Sequence, residues 1–175
     1  MDKIWDQSKL EKAKNIVLSH YDLVDNSPDT KLGSALSKWT HKDCKFNFTE
    51  PFQEVVGASA AAKIFWEPLR NSFAPLQRRQ SIFLAGYNHL SDEPGVWVVS
   101  MGHFLGLFDH SFFAVKPNRL STMLRYAEFT LVANDRIMEV TMFFDIMNFM
   151  ALSGAEALPR STASTMVTPG PRTQD

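Results

Sequence analysis

WVVSMGHFLGLF (97–108), RLSTMLRYAEFTLV (119–132) and IMEVTMFFD (137–145) are three successive runs rich in apolar, β-branched and aromatic residues. ANDR (133–136), between the last two, is a tight-turn signal, so the runs read as long strands with short connections. The third run delivers a single carboxylate, Asp145, into an apolar setting. Upstream, residues 76–88 show the same β-branched and aromatic character, and SDEPG (91–95) marks the turn that separates them from the next strand. Four strands in sequence, joined by short turns, predict an antiparallel meander.

The first half of the chain has a different period. Leu10, Ala13, Val17, Tyr21 and Val24 recur every three or four residues, which predicts an amphipathic helix over 3–24. NSPDT (26–30) then breaks the chain, and Leu32, Ala35, Leu36 and Trp39 give a short second helix. Phe46-Asn47-Phe48 reads as a brief strand. SAAAKIFWEPLRNSF (59–73) opens on a capping serine and carries Ala61, Ile64, Phe65, Leu69 and Phe73 at helical spacing. Pro68 lacks a backbone donor and its ring clashes with the preceding turn, so it should kink this third helix.

Helices first and strands last specify an α+β fold: a curved antiparallel sheet covered on its concave face by the N-terminal helices. A curved sheet closed in this way makes a cone with an apolar pocket inside it. On this reading residues 1–154 form a single domain. The tail, 155–175, is rich in Ser, Thr, Pro and small residues and is expected to be flexible.

A chain of 175 residues, 45% hydrophobic, can bury a substantial core, and its 14 Phe and 4 Trp supply rings for the core or for a cavity wall. The net charge of −1, with Arg78-Arg79 the only adjacent basic pair, offers no footprint for nucleic acid. No apolar run approaches membrane-span length and MDKIWDQS (1–8) has no apolar signal core, so a soluble, cytoplasmic protein without a membrane partner is expected. The single cysteine, Cys44, cannot form an internal disulfide and reads as a buried, inert thiol. The alternating aromatics of the strands would leave the convex face apolar, which predicts a homodimer.

Asp145 is the first candidate for chemistry. A carboxyl among large apolar side chains is desolvated and its pKa rises toward neutrality, which suits a group that takes and returns a proton. The alternative is an Asp that caps the following turn or pairs with an arginine. His103 shares strand parity with Trp97, Val99, Met101 and Leu105, an apolar set that predicts burial, and a neutral imidazole there could donate to a substrate oxygen or orient Asp145. Its flanking glycines, Gly102 and Gly106, permit a close ligand approach or a bulge. Tyr126 and Glu128 share one face of their strand while Arg125 takes the other; parity alone does not say which faces solvent. The five histidines show no metal-ligand spacing, and no nucleotide or nucleophile-elbow motif occurs, so no metal or cofactor is expected.

Taken in order, GHFLG (102–106), VKPNR (115–119), RYAEF (125–129), NDRI (134–137) and Asp145 followed by IMNFMALSG (146–154) resemble the SnoaL-like polyketide cyclase family of the nuclear transport factor 2-like superfamily. FWEPL (65–69) is similar to that family's third helix. The chain departs from the pattern in two places: Lys116-Pro117-Asn118-Arg119 stands where the family often has Pro, a small residue, Thr and Gly, and Asp135-Arg136 replaces Gly-Lys. Those departures bear on substrate more than on fold. The resemblance implies an NTF2-like cone with a deep pocket, and Asp145 as acid/base catalyst without a cofactor. His103 would then assist, and Trp66, Tyr126, Glu128, Phe143 and Asn47 would bind a hydrophobic, carbonyl-bearing ligand for a cyclase, lyase or isomerase reaction. Non-catalytic binding or dimerisation modules and epoxide hydrolases share the fold, and Asn47, Tyr126 or Glu128 could position the water of a hydrolase.

Overall fold

The computed structural model describes residues 6–50, 52–88, 95–113 and 115–155. The expected turn over 91–94 and the tail over 156–175 lie outside the described residues. Helix α1 (Gln7–Asn26) starts where Asp6 accepts a hydrogen bond from the Lys9 amide, and it buries Leu10, Ala13, Ile16, Val17, His20, Tyr21 and Val24. The apolar stripe read from the sequence is this face. A 3₁₀ turn (Asp29–Lys31) leads into α2 (Leu32–Trp39).

The third helical segment divides as Pro68 demands. It comprises α3 (Ala58–Ala61), a π-helical stretch (Ala62–Trp66) and α4 (Glu67–Ser72). The Glu67 amide bonds back to the Ala62 carbonyl, the wider π spacing, immediately before the proline. The adjustment leaves Phe65 and Trp66 buried on the inner side.

Strands β1 (Thr40–Phe48), β2 (Val55–Val56), β3 (Phe73–Gly86), β4 (Val96–Phe108), β5 (Ser121–Ala133) and β6 (Arg136–Phe144) form one sheet in the order β2-β1-β6-β5-β4-β3. The meander from β3 to β6 is antiparallel as expected. The sheet as a whole is mixed, because β1 is longer than the Phe46–Phe48 reading and pairs parallel to β6. Asn134 and Asp135, both at positive φ, make the two-residue turn between β5 and β6.

Burial alternates along β4 and β5, with Val98, Ser100, Phe104 and Phe108 and with Leu124, Tyr126, Glu128 and Thr130 turned toward the helices. Gly102 and Gly106 lie on the same inner side. A Cβ on Gly102 would sit 2.1 Å from the Arg79 carbonyl oxygen, and one on Gly106 2.9 Å from that of Pro75. The glycines therefore admit β3, not a ligand. Register shifts in β3 between Ala74 and Gln77 and between Gln80 and Ile82 accompany the curl. Between the two glycines, Phe104 pairs with Arg78, and the curl turns the arginine side chain inward.

Much of the interior is aromatic. Phe65 stacks on Phe48 at 4.6 Å and on Phe144 at 4.8 Å, and Phe113 lies 4.3 Å from Phe52 and 4.2 Å from Phe112. Cys44 is buried, and desolvation, then the Glu139 charge, pushes its thiol up to about 12. No helix among the described residues is long and apolar enough to cross a membrane.

Candidate functional site

Four elements, α1, the π-helical stretch, β4 and β5, converge on the guanidinium of Arg78, whose side chain is only 5% exposed. From α1, Asp25 accepts from Arg78 Nε at 3.0 Å and from Nη2 at 3.4 Å, a two-pronged grip. From β5, Glu128 accepts from Nη1 at 3.4 Å. Aromatic faces complete the enclosure: Arg78 Cζ lies 3.9 Å from the Tyr21 ring centroid, 5.0 Å from that of Phe104 and 5.2 Å from that of Trp66.

Glu128 is deeply buried and holds two further hydrogen bonds, from Tyr21 Oη at 2.8 Å and Thr130 Oγ1 at 3.0 Å. Burial raises its pKa, and the Arg78 charge and these donors offset only part of that rise. Burial also lifts the Tyr21 hydroxyl well above its ordinary value. For Arg78, burial favours loss of the proton, but Asp25 and Glu128 outweigh it and hold the cation charged. Ser100 Oγ extends the network: it lies 3.0 Å from Tyr126 Oη and accepts from Gln80 Nε2 at 2.8 Å. His20, one residue before Tyr21, is kept neutral by burial and then by the Arg78 charge, which together lower it to about 3.

A cavity of about 200 Å³ adjoins this network, and Asp25 and Trp66 belong to both. Arg70, Phe73, Pro75 and Leu76 supply other parts of its wall. The Asp25 side chain is 28% exposed, against 2% for Glu128, so of the two carboxylates on Arg78 it is Asp25 that a ligand can reach. A larger groove of about 480 Å³ lies on the opposite face of the sheet, walled by Leu84, Trp97, Val99, Phe129 and Phe143. Its described lining carries no carboxylate, imidazole or cation, and the chemistry is concentrated on the inner side.

The site residues expected from sequence fall into two groups. Trp66, Tyr126 and Glu128 come together around Arg78. Asp145, His103, Phe143 and Asn47 do not join them. Asp145 leaves the strand to cap α5 (Ile146–Leu152), accepting from the Asn148 amide at 3.0 Å, and it faces Arg125 Nη1 at 4.0 Å. That is the alternative of a cap and an arginine pair. His103 was expected to be buried; it is half-exposed on the outer face, where Arg125 Nε donates to its Nε2 at 3.5 Å. Phe143, 49% exposed, lies on that face too. Asn47 is opposite the buried Phe46 and Phe48 and donates to Glu139 at 2.9 Å and Thr141 at 3.1 Å. The apolar character of both faces of β4 explains the His103 error, since parity cannot choose between two apolar sides.

Tyr21, Asp25, Arg78 and Ser100 were not singled out. Tyr21 and Asp25 stand four residues apart on α1, a spacing that puts both on one helix face, and Tyr21 belonged to the apolar stripe. Among the described residues no group of His, Cys, Asp and Glu is arranged to hold a metal ion.

No family profile matches the chain, and no curated protein matches it in sequence. Solved structures do match in shape. A candidate SnoaL-like polyketide cyclase from Jannaschia sp. CCS1 is similar at TM-score 0.65 and 17% identity, over 91% of this chain and 99% of its own. AclR, a candidate hydroxylase from Streptomyces galilaeus, gives 0.62 at 14% identity, over 90% and 95% of the two chains. IdmH, a candidate polyketide cyclase from Streptomyces antibioticus, gives 0.61 at 13% identity, over 81% and 97%. The chain therefore has the cone-shaped SnoaL-like fold, and at these identities the likeness is one of fold.

Proposed function

We propose that this protein is a cofactor-independent enzyme acting on a small, hydrophobic, carbonyl-bearing molecule by acid/base chemistry, with Asp25 rather than Asp145 as the proton-transfer group. The observation that carries this reading is Arg78, buried between two carboxylates of which one, Asp25, borders the cavity. The two-pronged contact fixes the Asp25 carboxylate in one orientation, so it can take a proton from the carbon beside a bound carbonyl. Three of the five guanidinium N–H groups meet carboxylates in the described structure, so Arg78 acts from behind the cavity wall by holding the base in place. Glu128, Tyr21 and Thr130 act through Arg78 as positioning residues.

A cyclase, lyase or isomerase step fits this arrangement, since each needs one oriented base beside a shaped pocket. Epoxide hydrolysis would use the same Asp25 to activate water, but Asn47, one of the residues expected to position that water, is bonded to Glu139 and Thr141 across β1 and β6. A non-catalytic binding module is the second reading. The mutual satisfaction of Arg78 and Glu128, both almost fully enclosed, favours it. Product analysis on a panel of apolar ketones, comparing wild type with Asp25→Asn and Asp145→Asn, separates the readings. Turnover that Asp25→Asn abolishes and Asp145→Asn preserves supports the enzyme; binding of the ketones without product under any condition removes it.

A homodimer through the outer sheet face accompanies this proposal. Ile82, Leu84, Met101, Leu107, Met123 and Phe143 are all exposed there, an apolar surface on either side of the His103–Arg125 pair that a second copy would cover. Sedimentation of wild type and Phe143→Asp tests it: the wild type should be a dimer and the variant a monomer, and a wild type that is monomeric at high concentration contradicts it.

A further inference from the structure

We infer that the Asp25 cavity admits compact, uncharged molecules of about one ring and excludes both carboxylates and polycyclic compounds. This rests on the cavity being the ligand site of the proposed function, and it narrows the ligand by size and charge.

Size follows from the walls. The volume of about 200 Å³ is below the roughly 300 Å³ at which pockets for drug-sized ligands begin. A dry cavity of about 150 Å³ accommodates benzene, so this one holds roughly a single ring with a short substituent. It cannot lengthen inward without displacing rings already in contact, since its wall residue Phe73 lies 5.3 Å from Phe108 and 5.6 Å from Phe149. Trp66 on the other side is 5.1 Å from Phe65 and 5.8 Å from Phe104.

Charge follows from pairing. Both arginines near the cavity are already engaged. Arg70 Nε meets Asp29 at 3.1 Å, and its Nη1 donates to the Val24 carbonyl at 3.1 Å and the Ser27 carbonyl at 2.7 Å. Arg78 is held by Asp25 and Glu128. No lysine contributes to the described wall. An entering carboxylate would thus face Asp25 and Asp29 with no unpaired cation, losing its hydration without a replacement. Asp25 and Asp29 each have an arginine, so nothing in the wall calls for an ammonium group either. What remains is an apolar surface of Trp66, Phe73, Pro75 and Leu76 beside two arginine-paired carboxylates, which suits a neutral ligand with a single polar atom.

Calorimetric titration of the full chain with three matched probes tests the inference: acetophenone, 4-acetylbenzoate and the tricyclic ketone anthrone. Acetophenone should bind at least about tenfold more tightly than either of the others. Leu76→Trp, which fills the cavity, should abolish its binding, and Leu76→Phe gives the same test by a smaller step if the first variant does not fold. Absence of acetophenone binding at millimolar concentration, equal or tighter binding of the carboxylate or the tricycle, or binding indifferent to Leu76 substitution would each overturn the selectivity. Acetophenone that binds selectively but is not turned over, together with a panel of one-ring ketones that yields no product, leaves the selectivity standing and removes the catalytic reading. Turnover of the tricycle does the reverse.

Discussion

Replacing Arg78 by Met takes away the cation that faces both Asp25 and Glu128. The arginine side chain is 5% exposed and Glu128 2%, so neither can turn to water when its partner is lost. Removing one member of such a buried pair costs about 3–5 kcal/mol, because the remaining charge stays desolvated. Loss of the guanidinium from the Tyr21 face, 3.9 Å away, adds about 1 kcal/mol. A typical domain has only about 5–15 kcal/mol in all, so the effect should be plain in urea unfolding followed by circular dichroism. It should also depend on pH. Burial already raises the Glu128 pKa and Arg78 opposes that rise; without Arg78 the carboxyl titrates higher still. The variant's deficit is then largest where Glu128 is forced to ionise and shrinks as pH falls through its raised pKa. Adding Glu128→Gln removes the stranded charge and should recover at least about 1.5 kcal/mol at pH 8, measured as coupling in a double-mutant cycle. A deficit below about 1 kcal/mol for Arg78→Met at pH 8, or no recovery in the double variant, would refute the claim that the network is desolvated and mutually dependent.

His20 makes the protein acid-sensitive. Its folded pKa of about 3 is below the unfolded value near 6.5, so stability is full above about pH 6.5 and is lost as pH falls toward 3, by about 2 kcal/mol at pH 5. Subtracting the unfolding free energy of His20→Leu from that of wild type at each pH isolates this loss, and a difference independent of pH would contradict it. Asp145→Ala removes the cap of α5 and should cost about 1 kcal/mol in urea unfolding, while titration finds affinity for cavity ligands unchanged. Gly102→Ala places a Cβ against the Arg79 carbonyl and should cost about 1–3 kcal/mol through displacement of β3, read as a lowered Tm; an unshifted Tm would mean that β3 yields freely.

The strands and helices were legible because their periods differ: three-to-four spacing on α1, and apolar and aromatic runs through β3 to β6. The parallel pairing of β1 was not, since a strand's partner is set by tertiary contact and its polar stretch, His41 to Asp43, hides its length. Parity separated Tyr126 and Glu128 from Arg125, and only the position of α1 decided which set went inside. Asp145 misled for a related reason. An Asp followed by Ile146, Phe149 and Met150 is a helix-start signal, but the apolar run before it has the pattern of a strand that continues to Asp145. Arg78 entered only as half of the one basic pair, and nothing in that pair marks it for burial: β3 is an edge strand, most of whose residues are exposed, and the inward turn depends on the two glycines of the neighbouring strand.

The central claim is that ligand chemistry belongs to Asp25 and Arg78, away from Asp145 and the outer groove. Crystals soaked with acetophenone test it most directly. Density is expected between Trp66 and Leu76 with the methyl group beside Asp25. Density against Asp145, or only in the groove of Trp97 and Phe143 on the outer face, would contradict it.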